Sequence, residues 1–375
     1  MMKFQQTEIG KIPEDWEIKE LRETVSKLGD GLHGTPKYDN NGDYYFINGN
    51  NLIDGKIILD EKTKKCSQEE FEKYKKELSN RTILVSINGT LGNIALYNDE
   101  RIILGKSVCY LNVKEEFSIL YIKYILKNRY FQNFIQFNAT GTTIKNVSLK
   151  QMREFKFGMP KDYKEQLSIA SILSSLDAKI ELNNKMNKTL EAIGQAIFKK
   201  WFVDEKFNEK ELGEILSLEY GTGLNKDKRN KGKFPIYGSG GIMGFHNEYL
   251  VKGPGIIVGR AGCPGKIHLV NENFWPIDST FYVNTKGEYF FYVYYLLKMM
   301  KLEFLNSGSA VPGLNRNTAY QQKINFPREI KIKEFNNLCK VLFLQIWKNE
   351  EQSHTLSLIR DALLPKLMSG EIRVK

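Results

Sequence analysis

The chain has 375 residues, 41% of them hydrophobic and 12% aromatic, with a formal net charge of +11. That length holds two domains with separate cores, and the apolar content excludes a disordered chain. The charge favours a polyanionic partner such as nucleic acid, although a lysine-rich codon bias gives the same balance.

The opening residues, MMKFQQTEIGKIPEDWE, are polar and lack the apolar core of a secretory leader. No uncharged apolar run reaches the ~18 residues of a membrane span; YFFYVYYLL is short and tyrosine-rich. Cys66, Cys109, Cys263 and Cys339 lie far apart without a CxxC pair, which suggests neither a zinc site nor a disulfide framework. A soluble protein of a reducing cytoplasm is expected.

In chain order, the first half begins with polar glycine loops, GDGLHGTPKYDNNG (Gly29–Gly42) and INGNN (Ile47–Asn51). ILVSINGTLGNIALYN, starting at Ile83, reads as a buried strand, a glycine turn and a second strand. A tyrosine-rich helical stretch follows, LYIKYILKNRYFQNFI, then the small-residue loop NATGTTIKNVS and a strand ending at Pro160. The second half repeats this order. IIVGRAGCPGKIHLVN starts at Ile256, and the shift that carries Ile83 onto Ile256 also carries Gly89 onto Gly262, Gly92 onto Gly265 and Ile94 onto Ile267. FFYVYYLLKMMKLEFL, NSGSAVPGLNR and a strand ending at Pro327 complete it. Ordered blocks in register indicate a duplicated architecture.

Each copy is followed by a long helical pattern. In the first, Ile169, Leu173, Leu176, Ile180, Asn183, Asn187, Leu190, Gly194, Ile197 and Trp201 hold the alternating spacing of a coiled-coil seam. In the second, Phe335, Leu338, Leu342, Gln345, Asn349, Gln352, Leu356, Ile359 and Leu363 do the same. Both seams are apolar at their ends and carry amides at their centres. Matched polar centres favour pairing of the two helices, with the amides fixing register; the alternative is two unrelated amphipathic helices packed on separate domains. Phe198, Trp201, Phe202 and Trp347 suit either partner helices or intramolecular packing.

The expected fold is therefore α+β: two similar α/β domains separated by two long helices that pair as an antiparallel coiled coil. The boundaries are 1–160 and 205–330 for the domains, and 161–204 and 331–375 for the helices.

Motifs of catalysis are missing. There is no HExxH, no phosphate-loop glycine–lysine signature and no GxSxG elbow. YGSGGIMG (Tyr237–Gly244) lacks the strand–loop–helix setting of a nucleotide cradle and reads as a glycine-rich hairpin. His33, His246, His268 and His354 are scattered, with no metal-ligand spacing. The pattern is that of a binder.

Nucleic-acid readers combine cations for phosphates with amide, hydroxyl and arginine groups for base edges. The first half offers Thr35, Lys37, Tyr38, Asn50, Asn88, Thr90, Thr142 and Lys145. The second offers Tyr237, Ser239, Arg260, Lys266, Ser309 and Arg316, with Arg260 the foremost candidate for a fork onto guanine. Such glycine-rich loops also serve as plain tight turns.

GDGLHGTPKY, LVSINGTLGNIALYN, EQLSIASILSSLDAKIE, AIFKKWFVD, FPIYGSGGIMGF, IIVGRAGCPGKI and IRDALLPKLMSGEIRV, in that order, resemble the specificity subunits of type I restriction–modification enzymes. The resemblance implies two target-recognition domains reading the halves of a split double-stranded DNA site, with the helices as ruler and docking surface. It further implies two copies of an adenine-N6 methyltransferase (modification) subunit as partners, together with restriction and translocase subunits. No cofactor is expected in this chain: S-adenosylmethionine, ATP and Mg belong to those partners, and the chain itself is non-catalytic. Two other readings remain: a coiled-coil scaffold with protein-binding domains, and a stand-alone nuclease or methyltransferase with a diverged site.

Overall fold

The computed structural model describes residues 3–141, 144–205, 207–285, 288–305 and 313–374. The chain divides into two compact units, Met1–Ile180 with His354–Lys375, and Glu181–Ser353. Both long helices cross this division, so each unit contains a segment of each helix.

In the first unit a four-stranded antiparallel sheet runs in the order Thr90–Leu96, Thr82–Asn88, Val108–Val113, Val25–Asp30. The second of these strands, TILVSIN, is buried almost throughout because both its faces are covered. Ile83, Val85 and Ile87 point into a core built around Trp16, Tyr121, Phe131 and Phe155, whereas Leu84 points to a smaller core with Ile47, Leu104 and Tyr110. The period-two alternation of a strand thus serves two cores at once. Beside this sheet lies a three-stranded one, with Tyr44–Ile47 parallel to Ile102–Leu104 and antiparallel to Lys65–Cys66.

The second unit repeats the topology. Ile267–Val270, Gly255–Gly259, Thr280–Thr285 and Leu216–Tyr220 form a four-stranded antiparallel sheet in that order. Phe234–Gly238 pairs parallel with Trp275–Pro276 and antiparallel with Gly241–His246. Ile256 and Val258 enter the larger core, and Ile257 enters a smaller one with Val270 and Phe274. The turns match as well: Gly89, Gly92, Gly262 and Gly265 have φ of +72°, +82°, +83° and +77°, a region that a side chain opposes.

The first long helix is Tyr163–Phe198 and the second Glu329–Met368, 36 and 40 residues respectively. Within the second unit Asn183 Nδ2 donates to Gln352 Oε1 at 3.0 Å, and Asn187 Nδ2 to the Ile346 carbonyl at 3.3 Å. Within the first, Asp177 meets Arg360 at 2.8 Å and Glu165 meets Arg373 at 2.6 Å. Rising numbers on the first helix meet falling numbers on the second and, at Arg373, on the segment just past its end, so the segments pair antiparallel in both units. The amides at the seam centre face each other as expected.

One expectation needs correction. Along the second helix the seam is carried by buried Phe335, Cys339, Ile346 and Asn349, with Leu342 and Leu356 half-buried; Ile332, Phe343, Leu367 and Met368 of this helix are buried as well. Gln345 lies exposed, its Nε2 donating to Asn349 Oδ1 of its own helix at 2.7 Å, and Ile359 is 43% exposed. The seam therefore passes one residue later at these positions, through Ile346 and Arg360. In the first helix Leu173, Asn183 and Gly194 are buried, and Leu176, Ile180, Asn187 and Leu190 half-buried.

The aromatic residues after the seam pack internally. Phe198 and Phe202 are buried against Tyr292 and Phe335, with ring centroids 5.1–5.6 Å apart. Trp347 sits 6.0 Å from Phe343. The turn after the helix, Lys199–Val203, widens into π geometry, which keeps Phe202 on the core side.

Candidate nucleic-acid interface

In each unit the glycine turn is laced to the small-residue loop that follows much later in the chain. In the first unit Gly89 N donates to the Lys145 carbonyl and Val147 N to the Ile87 carbonyl, both at 2.9 Å. Asn88 Nδ2 donates to Asn146 Oδ1 at 3.2 Å. These bonds bring Asn88, Thr90 and Lys145 to one edge, with Thr90 and Lys145 exposed. Thr142 lies outside the described residues, as does Ser309 in the corresponding loop of the second unit.

Tyr38 and Asn50 come together elsewhere in the first unit, at a cavity of about 320 Å³ that Asn48, Lys62 and Lys64 also line. Tyr38 is 46% exposed, so its ring is available at the rim. Thr35 and Lys37 are exposed but do not line this cavity, and the Lys37 main-chain N–H donates to Glu70 Oε2 at 2.9 Å. The lysines were not singled out from sequence; the run EKTKKC was their only local signal.

In the second unit Leu314 N donates to the Arg260 carbonyl at 2.8 Å, the same lacing as in the first. Arg260 Nε donates to the Asp278 carbonyl at 2.9 Å, which fixes the guanidinium by one edge. Its centre lies 5.6 Å from the Tyr220 ring, and that of Arg316 lies 5.0 Å from the same ring. Tyr220 is 51% exposed and was not anticipated. Arg316 Nε is buried without a hydrogen-bond partner among the described residues.

The other second-unit candidates hold the turns. Ser239 is buried, its Oγ accepts from Cys263 N at 3.3 Å, and its carbonyl lies 3.0 Å from His268 Nε2. Lys266 Nζ donates to the Gly240 carbonyl at 2.9 Å. Tyr237 packs edge-on to Phe274, and burial raises its hydroxyl pKa to about 12, so it presents an O–H at neutral pH.

Cys263 in the second glycine turn is exposed, whereas Cys66 is buried. Cys109 and Cys339 are buried, and burial lifts the Cys339 thiol to about 12. Among the described residues no group of three His, Cys, Asp or Glu could hold a metal ion. Among them, too, no helix is long and apolar enough to cross a membrane.

The family model for the type I restriction modification DNA specificity domain matches twice, over residues 13–192 and 204–349. The chain belongs to this specificity family. Each match takes in one laced turn, with most of the first long helix in one case and about half of the second in the other, in agreement with the duplication seen in the sheets. The type I restriction enzyme MjaIX specificity subunit of Methanocaldococcus jannaschii is 25% identical, covering 99% of this chain and 97% of that protein. A putative type I specificity subunit of Mycoplasma genitalium is 28% identical over 76% of this chain and 80% of its own. The crystal structure of the type I restriction–modification S subunit from M. genitalium shares the fold, with a TM-score of 0.62 at 22% identity, covering 94% of this chain and 96% of that one. The specificity-subunit resemblance of the sequence is thereby confirmed, and neither the scaffold nor the stand-alone enzyme gains support.

Proposed function

We propose that residues 1–160 and 205–330 are two target-recognition domains, each reading one half of a split double-stranded DNA target. Residues 161–204 and 331–375 form the spacer between them. The observation that carries this reading is the repeated lacing of a glycine turn to a later loop, dressed with Asn88, Thr90 and Lys145 in one unit and with Arg260 and Arg316 in the other. One scaffold with two side-chain sets suits two different base sequences. Tyr38 and Asn50 with their neighbouring lysines extend the first surface, with exposed Thr35 and Lys37 close by in sequence, while Tyr237 and Lys266 brace the turns of the second.

Joining two modest readers on one spacer raises the effective concentration of the second once the first has bound. Half-sites on one DNA face are expected about 34–36 Å apart, one helical turn. The net charge of +11 adds salt-sensitive phosphate affinity. In this reading the chain works in the cytoplasm and does no chemistry. Two copies of an adenine methyltransferase subunit bring S-adenosylmethionine, and restriction subunits bring ATP and Mg.

The test is to express the chain with its neighbouring methyltransferase and map N6-methyladenine across the genome. Two short specified blocks around a fixed unspecified spacer are expected. A single contiguous motif, or none with the chain folded, would overturn the proposal.

A further inference from the structure

The strand registers allow the two units to be compared position by position. Tyr220 pairs with Phe281 as Asp30 pairs with Cys109. Arg260 N donates to the Ser279 carbonyl as Ile87 N donates to that of Ser107, and Leu314 follows Arg260 as Val147 follows Ile87. Where the second unit has Tyr220, Arg260 and Arg316, the first therefore has Asp30, Ile87 and Leu149. The same sheet and the same lacing form with either set, so the fold does not require the tyrosine and the two arginines.

Two half-buried guanidiniums lie against one ring with no acidic partner among the described residues, so they repel each other and an electron-rich ligand that accepts from both relieves that repulsion. The ring face attracts both cations and holds them side by side. Arg260 is already fixed by its Nε, which leaves its two terminal nitrogens as a pre-set pair of parallel donors. Arg316 has a buried, unpartnered Nε, so part of its guanidinium is desolvated before any ligand arrives. Parallel donors held rigidly at an otherwise uncompensated site match the O6 and N7 acceptors of guanine in the major groove.

We propose that Tyr220, Arg260 and Arg316 form one reading head for guanine, with Tyr220 as the positioning residue, and that the half-site of the second unit contains guanine. This rests on the split-target reading above. Asp30, Ile87 and Leu149 give the first unit no such head, and its half-site is read by other groups.

The experiment maps N6-methyladenine motifs for the wild-type complex and for complexes with Arg260→Ile, Arg316→Leu, Tyr220→Phe and Tyr220→Leu. The arginine replacements are the residues that the first unit carries at those positions, so folding is expected to survive. Arg260→Ile should lower the preference for guanine at one position of one half-site by roughly ten- to a hundredfold, leaving the other half-site unchanged. Arg316→Leu should act in the same half-site, Tyr220→Leu should mimic the arginine changes, and Tyr220→Phe, which keeps the ring, should not. A duplex with 7-deazaguanine at that position should be methylated poorly by wild type and no worse than normal guanine by Arg260→Ile, a coupling that simple misfolding does not produce.

An unchanged split motif in the arginine variants, or a wild-type half-site for this unit without guanine, would overturn the reading head alone. So would a uniform loss over all sequences with a shallower salt dependence, since that assigns the arginines to phosphates. Absence of a split motif from wild type would overturn the head together with the reading beneath it.

Discussion

Asn349 and Asn187 close the polar centre of the helix pair: Asn349 Nδ2 donates to Asn187 Oδ1 at 2.8 Å, and the Asn349 carbonyl accepts from Asn183 Nδ2 at 3.3 Å. Asn183 and Asn349 are buried, so their amides depend on partners within the helix pair rather than on water; Asn183 Oδ1 alone of these groups has no partner among the described residues. Asn349→Ala would strand Asn187 Oδ1 and should cost about 1–3 kcal/mol in urea unfolding. Replacing Asn183, Asn187 and Asn349 together with Leu should recover that loss, while hydrogen exchange along the helices becomes less uniform as register loosens. An unchanged urea midpoint in Asn349→Ala would show that the amide set contributes nothing.

A second prediction concerns Gly194, buried in the seam where the helix approaches Tyr295. A methyl group there would overlap the Tyr295 hydroxyl and ring carbon Cζ, and Tyr295 is fully enclosed and cannot swing away. Gly194→Ala should therefore destabilise the second unit by about 1–3 kcal/mol despite its better helix propensity. Adding Tyr295→Phe removes the closer of the overlapping atoms and should return part of the loss. Additive single effects in thermal unfolding would contradict this coupling.

Acid should act on the first unit through Asp177. Burial alone would raise its pKa, but the Arg360 hydrogen bond, the Lys127 charge and the Tyr124 hydroxyl outweigh burial and hold it below the ordinary aspartate value. A carboxylate with a depressed folded pKa contributes stability that is complete above its unfolded value of about 3.9. That contribution disappears as pH falls through the lower folded value. The gap in urea midpoint between wild type and Asp177→Asn should thus be constant from pH 7 to pH 5 and shrink below about pH 4. A gap that persists undiminished to the acid limit would mean that the charge is irrelevant.

The parts of this architecture legible in the sequence are those dictated by local geometry. A glycine that must take positive φ leaves a mark, and four of them in matching places disclosed the duplication. The first helix seam was readable because its apolar residues have polar neighbours. The second was ambiguous because Leu338 and Cys339, Leu342 and Phe343, and Leu358 and Ile359 stand side by side, so two phases one residue apart fit equally well. Tyr220 gave no signal: an aromatic at the end of the strand LSLEY reads as core, and only pairing across the sheet sets it beneath two arginines distant in sequence. Nor does any local pattern disclose that the chain end docks on its beginning.

That docking supplies a further prediction. Arg373 forks onto Asp15, with Nη1 and Nη2 donating at 2.9 and 2.7 Å, and Nη2 also reaches Glu165 at 2.7 Å. The Glu165 side chain is only 10% exposed, so removing its cation leaves a poorly solvated carboxylate held by little beyond Trp16 Nε1 at 3.4 Å. Arg373→Ala should cost about 2 kcal/mol, and Arg373→Lys should restore less than half of it, because an ammonium cannot serve both carboxylates in fork geometry. Thermal unfolding and the rate of proteolysis near the C-terminus report both; full rescue by lysine would reduce the contact to simple charge.

If the long helices set the distance between half-sites, that distance should follow helix length in a calculable way. Three heptads inserted in each helix, beside Asn183 and beside Asn349, keep the seam in phase and lengthen each by about 32 Å at 1.5 Å per residue. At about 3.4 Å per base pair this is about nine base pairs, close to one turn of DNA, so both readers can again face the same side. The methylated motif should keep both specified blocks while its unspecified spacer grows by nine or ten positions. One heptad alone adds about three base pairs and rotates the second half-site away from its reader, so methylation should drop sharply without a new motif of good occupancy. Growth of the spacer with unchanged blocks separates measuring from reading; altered blocks at the old spacing would show that the helices do not measure the site.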